Sequence, residues 1–252
     1  MKAIQIHEFG DPDVLRLEQI DDPAPGAGEV VVRVRAAGVN PVETYQRAGS
    51  QGYRRETPFG LGADGAGVVE AIGDGVHGLE PGARVYTAGS LTGTYAELAL
   101  CRADQVYPLP EPLSFEEGAC LWINYGTAYR ALFQRGSAVA GEWVLIHGAT
   151  GGVGVAALQW ARYRGLRTIA TYGSAEGKTL VESLGADAVV DHRDRDHGSV
   201  VVEATGGEGV NLVVEMLAHE NLDADLERIA QRGRVVVVGS RGSIDFAPRK
   251  TM

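Results

Sequence analysis

The chain has 252 residues, 44% hydrophobic and 22% charged, an ordinary globular balance that excludes disorder as the main state. Its net charge of −10 argues against a protein that grips nucleic acid through phosphates, which needs a basic face. The longest apolar runs, such as Val235–Val238, fall far short of the roughly 20 residues that span a bilayer, so no membrane partner is expected. Glycine is the outlier, with 35 residues, about twice the usual share of about 7%. It has no G-X-Y period and comes with only 10 prolines, so collagen is excluded. The N-terminus alternates like a strand and lacks the apolar core of a signal peptide. Two cysteines, Cys101 and Cys120, suit a reducing compartment, and both read as buried or half-buried thiols. A cytoplasmic protein is expected.

In chain order, Lys2–His7 alternates as a strand. Glu29–Val39 follows, with Val30, Val32 and Val34 on one face and Arg33 and Arg35 on the other. Pro41 precedes a short helix over Val42–Ala48. Gly67–Ile72, Ala83–Thr87 and Tyr95–Leu100 are further strands, and this spacing predicts an antiparallel barrel or sandwich. Ser114 and Glu117 form a capping box that opens a helix, whose neighbour covers Ala128–Arg135. From there the period changes. Trp143–His147, Arg167–Thr171, Ala188–Asp191, Leu212–Glu215 and Arg234–Gly239 read as strands. Gly152–Tyr163, Ala175–Leu184 and Leu222–Gln231 read as helices, the last two stopped by Gly185 and Gly233. Apolar strands alternating with helices predict a parallel sheet covered on both faces. The boundary between the halves is expected near residues 110–125.

The most informative segment is WVLIHGATGGVG, Trp143–Gly154. An apolar strand runs into Gly148, Gly151, Gly152 and Gly154, and a helix follows. The spacing is G-x-x-G-x-x-G, a close variant of the dinucleotide fingerprint. Its glycines permit a tight turn, close approach of a pyrophosphate and close helix–strand packing. The helix N-terminus then offers unpaired N–H groups to phosphate. A bland alternative is a Gly-rich turn that only packs a strand on a helix. An NAD site usually carries an acid at the end of the second strand. Here that strand ends Ala170–Thr171–Tyr172–Gly173–Ser174, and Glu176 lies beyond it. Lys178, His192 and Arg193 are the nearby basic groups. This favours NADP (NADPH), although both Lys178 and Arg193 also read as solvated surface charges.

GVNPVETY at 38–45, GADGAG at 62–67 and PGARV at 81–85 resemble the medium-chain dehydrogenase/reductase superfamily. TAYRAL at 127–132, HGATGGVGVAA at 147–157, VEMLA at 214–218 and RVVVVGSRGSI at 234–244 resemble its zinc-free quinone oxidoreductase branch, the zeta-crystallin-like NADPH:quinone reductases. The resemblance runs through essentially the whole chain. It implies an α/β protein with a GroES-like β-barrel catalytic domain over 1–120 and a Rossmann-type doubly wound parallel sheet over 121–252, with a cleft between them. Members continue past Arg234–Gly239 with a further edge strand, a helix and a strand, so the C-terminal part of that fold is expected to be missing here. The family forms dimers or tetramers through that edge strand, and such pairing is not expected without it.

The resemblance also implies roles. Where zinc alcohol dehydrogenases have Cys and Gly-His-Glu, this chain has Asn40 and Gly62–Ala63–Asp64. The six histidines show no close ligand spacing, so no metal is expected. Tyr45 and Asn40 are the candidates to orient acceptor and nicotinamide. Tyr45 could equally be a half-buried aromatic bonded to backbone, and Asn40 a turn-capping amide. Thr150–Val153 resembles the pyrophosphate loop. Gly173 and His192 match positions near the adenosine phosphate, and Lys178 is displaced by one residue from a family lysine. Asn221 matches a position near the cofactor ribose. Val238, Gly239, Ser240 and Arg241 match the nicotinamide side, as does Thr127, which shares a helix with Tyr129. The implied activity is NADPH-dependent reduction of a quinone without metal. An enone or alkenal reductase on the same fold, and a cofactor-binding protein with little turnover, are the alternatives.

Overall fold

A computed structural model describes residues 1–50, 52–194 and 197–251, with Pro248 described by its backbone alone. The chain forms two compact units, Met1–Ile123 and Asn124–Met252.

The first unit is built on two antiparallel sheets. Strands β1 (Lys2–Ile6), β2 (Arg16–Gln19) and β4 (Phe59–Gly60) form one, in the order β2-β1-β4. The other contains β3 (Glu29–Ala37), β5 (Asp64–Ile72), β6 (Arg84–Ala88), β7 (Leu98–Arg102) and β8 (Val106–Pro108), in the order β7-β3-β5-β6-β8. The start of β3 is buried on both faces, which simple alternation did not predict. Val30 and Val32 pack with Val69, Val85 and Ala99, while Val31 packs with Met1, Ala3 and Leu98. The short β2, β4 and β8 carry too few apolar residues to show a period, and they were not expected.

Helix α1 (Pro41–Ala48) starts on Pro41 and ends on Gly49, whose φ of 65° is the left-handed stop that glycine adopts freely. The Ser114 box forms as expected. The Ser114 Oγ accepts from the Glu117 N–H at 3.2 Å, and the Glu117 carboxylate accepts from the Ser114 N–H at 2.8 Å. The helix it opens, α2 (Phe115–Gly118), is a single turn. Helix α3 (Trp122–Tyr129) then runs across the division between the units and passes into a π-helical turn, Arg130–Arg135.

The second unit holds one five-stranded parallel sheet. Its strands are β9 (Trp143–Ile146), β10 (Arg167–Tyr172), β11 (Ala188–Asp191), β12 (Val210–Glu215) and β13 (Ile229–Val237), in the order β11-β10-β9-β12-β13. Helices α4 (Gly152–Tyr163), α5 (Ala175–Ser183), α6 (His197–Ala204) and α7 (Ala218–Arg228) connect them. Val144 and Ile146 of β9 pack on Ala156, Ala157, Leu158 and Ala161 of α4. Leu145 packs on the other face with Ile169, Val213 and Val201 of α6. The sheet is therefore covered on both sides, as its apolar strands predict.

One boundary shifts. The helix expected at Leu222–Gln231 starts at Ala218 and stops at Arg228, because Ile229 pairs with Val210 and begins β13. Leu212 then pairs with Arg234, so residues 230–233 stand opposite Asn211 alone and bulge out, with Arg232 at a φ of 64°. The glycine at 233 sits in that bulge and does not stop a helix. Among the described residues, no helix is long and apolar enough to cross a membrane.

Candidate functional site

The strand order reverses at β9, so the C-terminal ends of β9 and β12 border a topological switch point, where open parallel sheets bind ligands. The glycine loop leaves β9 at this point. Gly148 has a φ of 56° and donates its N–H to the Thr171 hydroxyl at 2.9 Å. Gly151 closes the turn by donating to the Gly148 carbonyl at 3.0 Å. The first helical bond of α4 runs from Val155 to Gly151, so the N–H groups of Gly152, Val153 and Gly154 lie ahead of it. Thr150, Gly151 and Gly152 are exposed. Gly154 has a packing role: a Cβ there would lie 2.3 Å from the Gly148 carbonyl oxygen and 2.5 Å from the Ala149 Cα. The exposed part of the loop is mostly glycine and faces solvent, with the Asn124 side chain against Gly152, which fits a pyrophosphate.

The ends of β10 and β11 lie alongside. Gly173 is needed because a Cβ there would meet the His192 ring at 2.5 Å. Ser174 caps α5, accepting from the Gly177 N–H at 3.0 Å. The basic groups are less free than the sequence implied. Arg193 clasps Asp191 through two bonds of 3.0 and 2.8 Å, and Asp191 is held well below the usual carboxylate range by them. Lys178 pairs with Glu182 at 3.7 Å. What distinguishes this edge is the missing acid: β10 ends in Tyr172–Gly173–Ser174, with no carboxylate to bond a ribose 2′-OH or repel a 2′-phosphate.

On the far side of the switch point, Val238 and Gly239 donate their N–H groups to the Glu215 carbonyl at 2.8 and 3.3 Å. Thr127 and Val238 line one cavity of about 230 Å³, together with Arg130, Arg135 and Val236. Ser240 and Arg241 are exposed, and the Arg241 N–H donates to His219 Nδ1 at 3.1 Å.

Beneath these elements lies a buried cluster that the sequence did not reveal. His147 ends the apolar run of β9, Glu215 ends β12, and Asp225 reaches in from α7. His147 Nε2 is 2.8 Å from Asp225 Oδ1 and 3.4 Å from Glu215 Oε2. Both carboxyl groups are fully buried. Glu215 Oε1 accepts from the Leu217 N–H and, at 3.2 Å, from the Asn221 amide. Glu215 Oε2 and Asp225 Oδ2 have no hydrogen-bond partner among the described residues. Burial pushes Glu215 up to about 7, against the pull of His147. Burial also disfavours a charged His147, but Asp225 and Glu215 outweigh it and raise the imidazole. The three ligand-type atoms fall within 4.8 Å of one another, close enough for a cation. The His147–Asp225 spacing is that of a hydrogen bond, and all three residues are buried. The residues are 68 and 10 positions apart, beyond any ligand-spacing motif. The available signal was a His and a Glu each closing an apolar parallel strand.

The first unit places the other candidates on and around α1. Asn40, before Pro41, is buried, and its amide donates to Asp64 Oδ2 at 3.1 Å. Asn40 is also the N-cap residue of α1, and Glu43 closes a capping box on it, so the amide keeps its capping position while it bonds Asp64. Glu43, also missed in the sequence, is buried and accepts from the Asn40 N–H, from the Tyr95 hydroxyl at 2.9 Å and from the Ala63 N–H at 3.2 Å. Asp64 Oδ1 accepts from the Ile123 N–H at 3.1 Å. Burial pushes Asp64 up to about 6 despite these bonds. Tyr45 is half-buried, its ring 5.5 Å from that of Tyr53, and its hydroxyl bonds to no described residue. The alternative of a hydroxyl bonded to backbone is thus not what forms. Cys101 is buried, as expected, whereas Cys120 is exposed.

Comparison with known proteins agrees with this layout. The alcohol dehydrogenase GroES-like domain family matches residues 26–111, and the zinc-binding dehydrogenase family matches residues 152–252. The quinone oxidoreductase of Rattus norvegicus is 47% identical over 253 residues, covering 100% of this chain and 77% of that protein. A mycobacterial protein solved in complex with NADPH superposes with a TM-score of 0.89 at 35% identity, covering 99% of this chain and 78% of the other. The Escherichia coli quinone oxidoreductase, also solved with NADPH, gives a TM-score of 0.87 at 31% identity, covering 97% and 76%. The chain belongs to the quinone oxidoreductase family of the medium-chain dehydrogenases/reductases.

Proposed function

We propose that the chain is an NADPH-dependent quinone oxidoreductase that works without a metal. The observation that carries this reading is the exposed glycine loop at the end of β9, next to a β10 that ends without a carboxylate. Gly148, Thr150, Gly151, Gly152, Val153 and Gly154 would hold the pyrophosphate. Gly173, Lys178 and His192 would border the adenosine phosphate, and Asn221 the ribose. Thr127, Val238, Gly239, Ser240 and Arg241 would line the nicotinamide side. Bound NADPH supplies the hydride, and with one proton from solvent it turns a quinone into a hydroquinone.

The chain's own residues bind and orient. A quinone is already a strong electron acceptor, so a hydrogen bond to its oxygen suffices in place of a Lewis acid. The free Tyr45 hydroxyl is the donor we assign to that oxygen. Asn40 acts through Asp64: at the positions where zinc alcohol dehydrogenases carry ligands, Asn40 and Asp64 satisfy each other directly. Two segments of the chain thus match the two family domains, with the catalytic domain first and the cofactor domain second. We place the protein in the cytoplasm, consistent with its cysteine usage.

The test is NADPH and NADH oxidation against a panel of quinones and enones. Faster turnover of quinones with NADPH is expected. Faster turnover of enones would move the assignment to an alkenal reductase, and faster NADH oxidation would overturn the cofactor assignment. Thermal stabilisation by NADPH without any turnover would indicate a cofactor-binding protein.

A further inference from the structure

We infer that His147, Glu215 and Asp225 form a positioning unit, held together by one proton shared between the two carboxyl groups, that fixes the glycine loop and the Leu217–Asn221 turn at a set spacing. This rests on the NADPH reading above, because both segments belong to the proposed cofactor site.

The geometry supports each part. His147 is the residue immediately before Gly148, so its ring anchors the root of the loop. Glu215 Oε1 takes two donors, the Leu217 N–H and the Asn221 amide, so it anchors the turn. Asp225 of α7 bonds His147 at 2.8 Å, and a carboxylate oxygen of Asp225 lies within 4.8 Å of one of Glu215. Loop and turn thus lead back to one cluster beneath the switch point.

The shared proton follows from counting. Glu215 Oε2 and Asp225 Oδ2 are both buried, and neither receives a donor from the described residues. Two ionised carboxylates in contact with one imidazolium would leave a net negative charge and two bare oxygens out of water, a costly arrangement. One proton between those oxygens satisfies both and leaves a neutral cluster, with Asp225 and His147 as its ion pair. The other charged group acting on the cluster is Arg228 of α7, which opposes the imidazolium and is bonded to His197 of α6 at 3.1 Å. A glutamine at 215 would imitate the protonated glutamate: its carbonyl would keep the two donors, and its NH₂ would replace the proton toward Asp225.

The experiment compares Glu215→Gln and Glu215→Ala with the unmodified chain. Two readouts are taken: the dissociation constant for NADPH across pH 6–8, and amide hydrogen exchange over 148–154 and 217–221. The expected result for Glu215→Ala is an NADPH affinity about tenfold weaker, roughly the loss of one buried charged hydrogen bond, with faster exchange in both segments together. The unmodified chain is expected to lose affinity between about pH 6 and 8 as the shared proton leaves, whereas Glu215→Gln is expected to keep the affinity within about twofold and to lack that fall. Weakening by Gln as severe as by Ala would overturn the shared proton. Faster exchange in only one segment would overturn the positioning unit. Stabilisation of the unmodified chain by Zn²⁺, lost in Glu215→Ala, would make the cluster a metal centre and overturn the proposal. If the unmodified chain binds no NADPH, the functional reading fails, while the exchange measurement still decides whether loop and turn are tied through Glu215.

Discussion

Each unit buries a pair of acids, and the two pairs are satisfied in opposite ways. In the first unit every oxygen of Glu43 and Asp64 accepts a hydrogen bond, from Asn40, Ala63, Tyr95 and Ile123. In the second unit, Glu215 and Asp225 each leave one oxygen without a donor. The first cluster is closed by the protein and ties α1 to the start of β5. The second leaves two oxygens that only a proton would satisfy, and it lies at the root of the proposed cofactor loop. Buried acids are therefore poor markers of function by themselves; which lone pairs remain open is more informative.

Several substitutions sharpen this contrast. The largest effect is expected in the second unit at Gly154, where an added Cβ would collide with backbone at 2.3 Å. Gly154→Ala should cost about 3 kcal/mol or more in a denaturation curve and remove measurable NADPH binding. Gly151→Ala meets only the Gly148 oxygen at 3.4 Å at an ordinary φ of −82°, so it should fold normally and serves as the control for the denaturation curve.

The next effect is one of pH in the first unit. Asp64 is raised from 3.8 to about 6, so the folded chain holds its proton more tightly than the unfolded chain. Stability from this group is fully present below the unfolded value and is lost as pH rises through the folded one. Between about pH 4 and 6 the unmodified chain should lose about 3 kcal/mol that Asp64→Asn does not, measured as urea midpoints. Equal slopes for the two proteins would remove the basis for calling Asp64 raised.

Replacing an acid by its amide then separates the clusters. Glu43→Gln points N–H groups at donors already in place and should cost about 2 kcal/mol or more. Glu215→Gln meets an oxygen with no donor and should cost less than about 1 kcal/mol. The reverse order in calorimetry would show that the second cluster is the closed one. The smallest effect is Tyr45→Phe, which should lower kcat/KM for quinones about fivefold without moving Tm.

The sequence made the chemistry of the loop legible and left the clusters hidden, for a physical reason. Gly148–Gly154 act through local backbone, so spacing along the chain reports them, and α4 begins at Gly152 as read. The ends of β9 and β12 also fall within a residue of their expected places, because buried parallel strands are continuous apolar runs. The partners of His147 lie on β12 and α7, and those of Asp64 just before α1 and on α3; only strand pairing and helix packing bring them together. The same limit explains α7: its early start depends on the Ala218 N–H bonding to the Gly239 carbonyl at 3.0 Å, and its early stop on the pairing of Ile229 with Val210. Arg193 read as a free cation because its bond to Asp191, two residues away, depends on the turn that follows β11.

The central claim, that the ends of the parallel sheet hold NADPH, is tested most directly by titrating the purified chain with NADPH and with NADH and following the quenching of its intrinsic fluorescence. The account predicts a dissociation constant for NADPH at least about tenfold below that for NADH, since β10 ends without the acid an NAD site uses. Equal or tighter binding of NADH would contradict it.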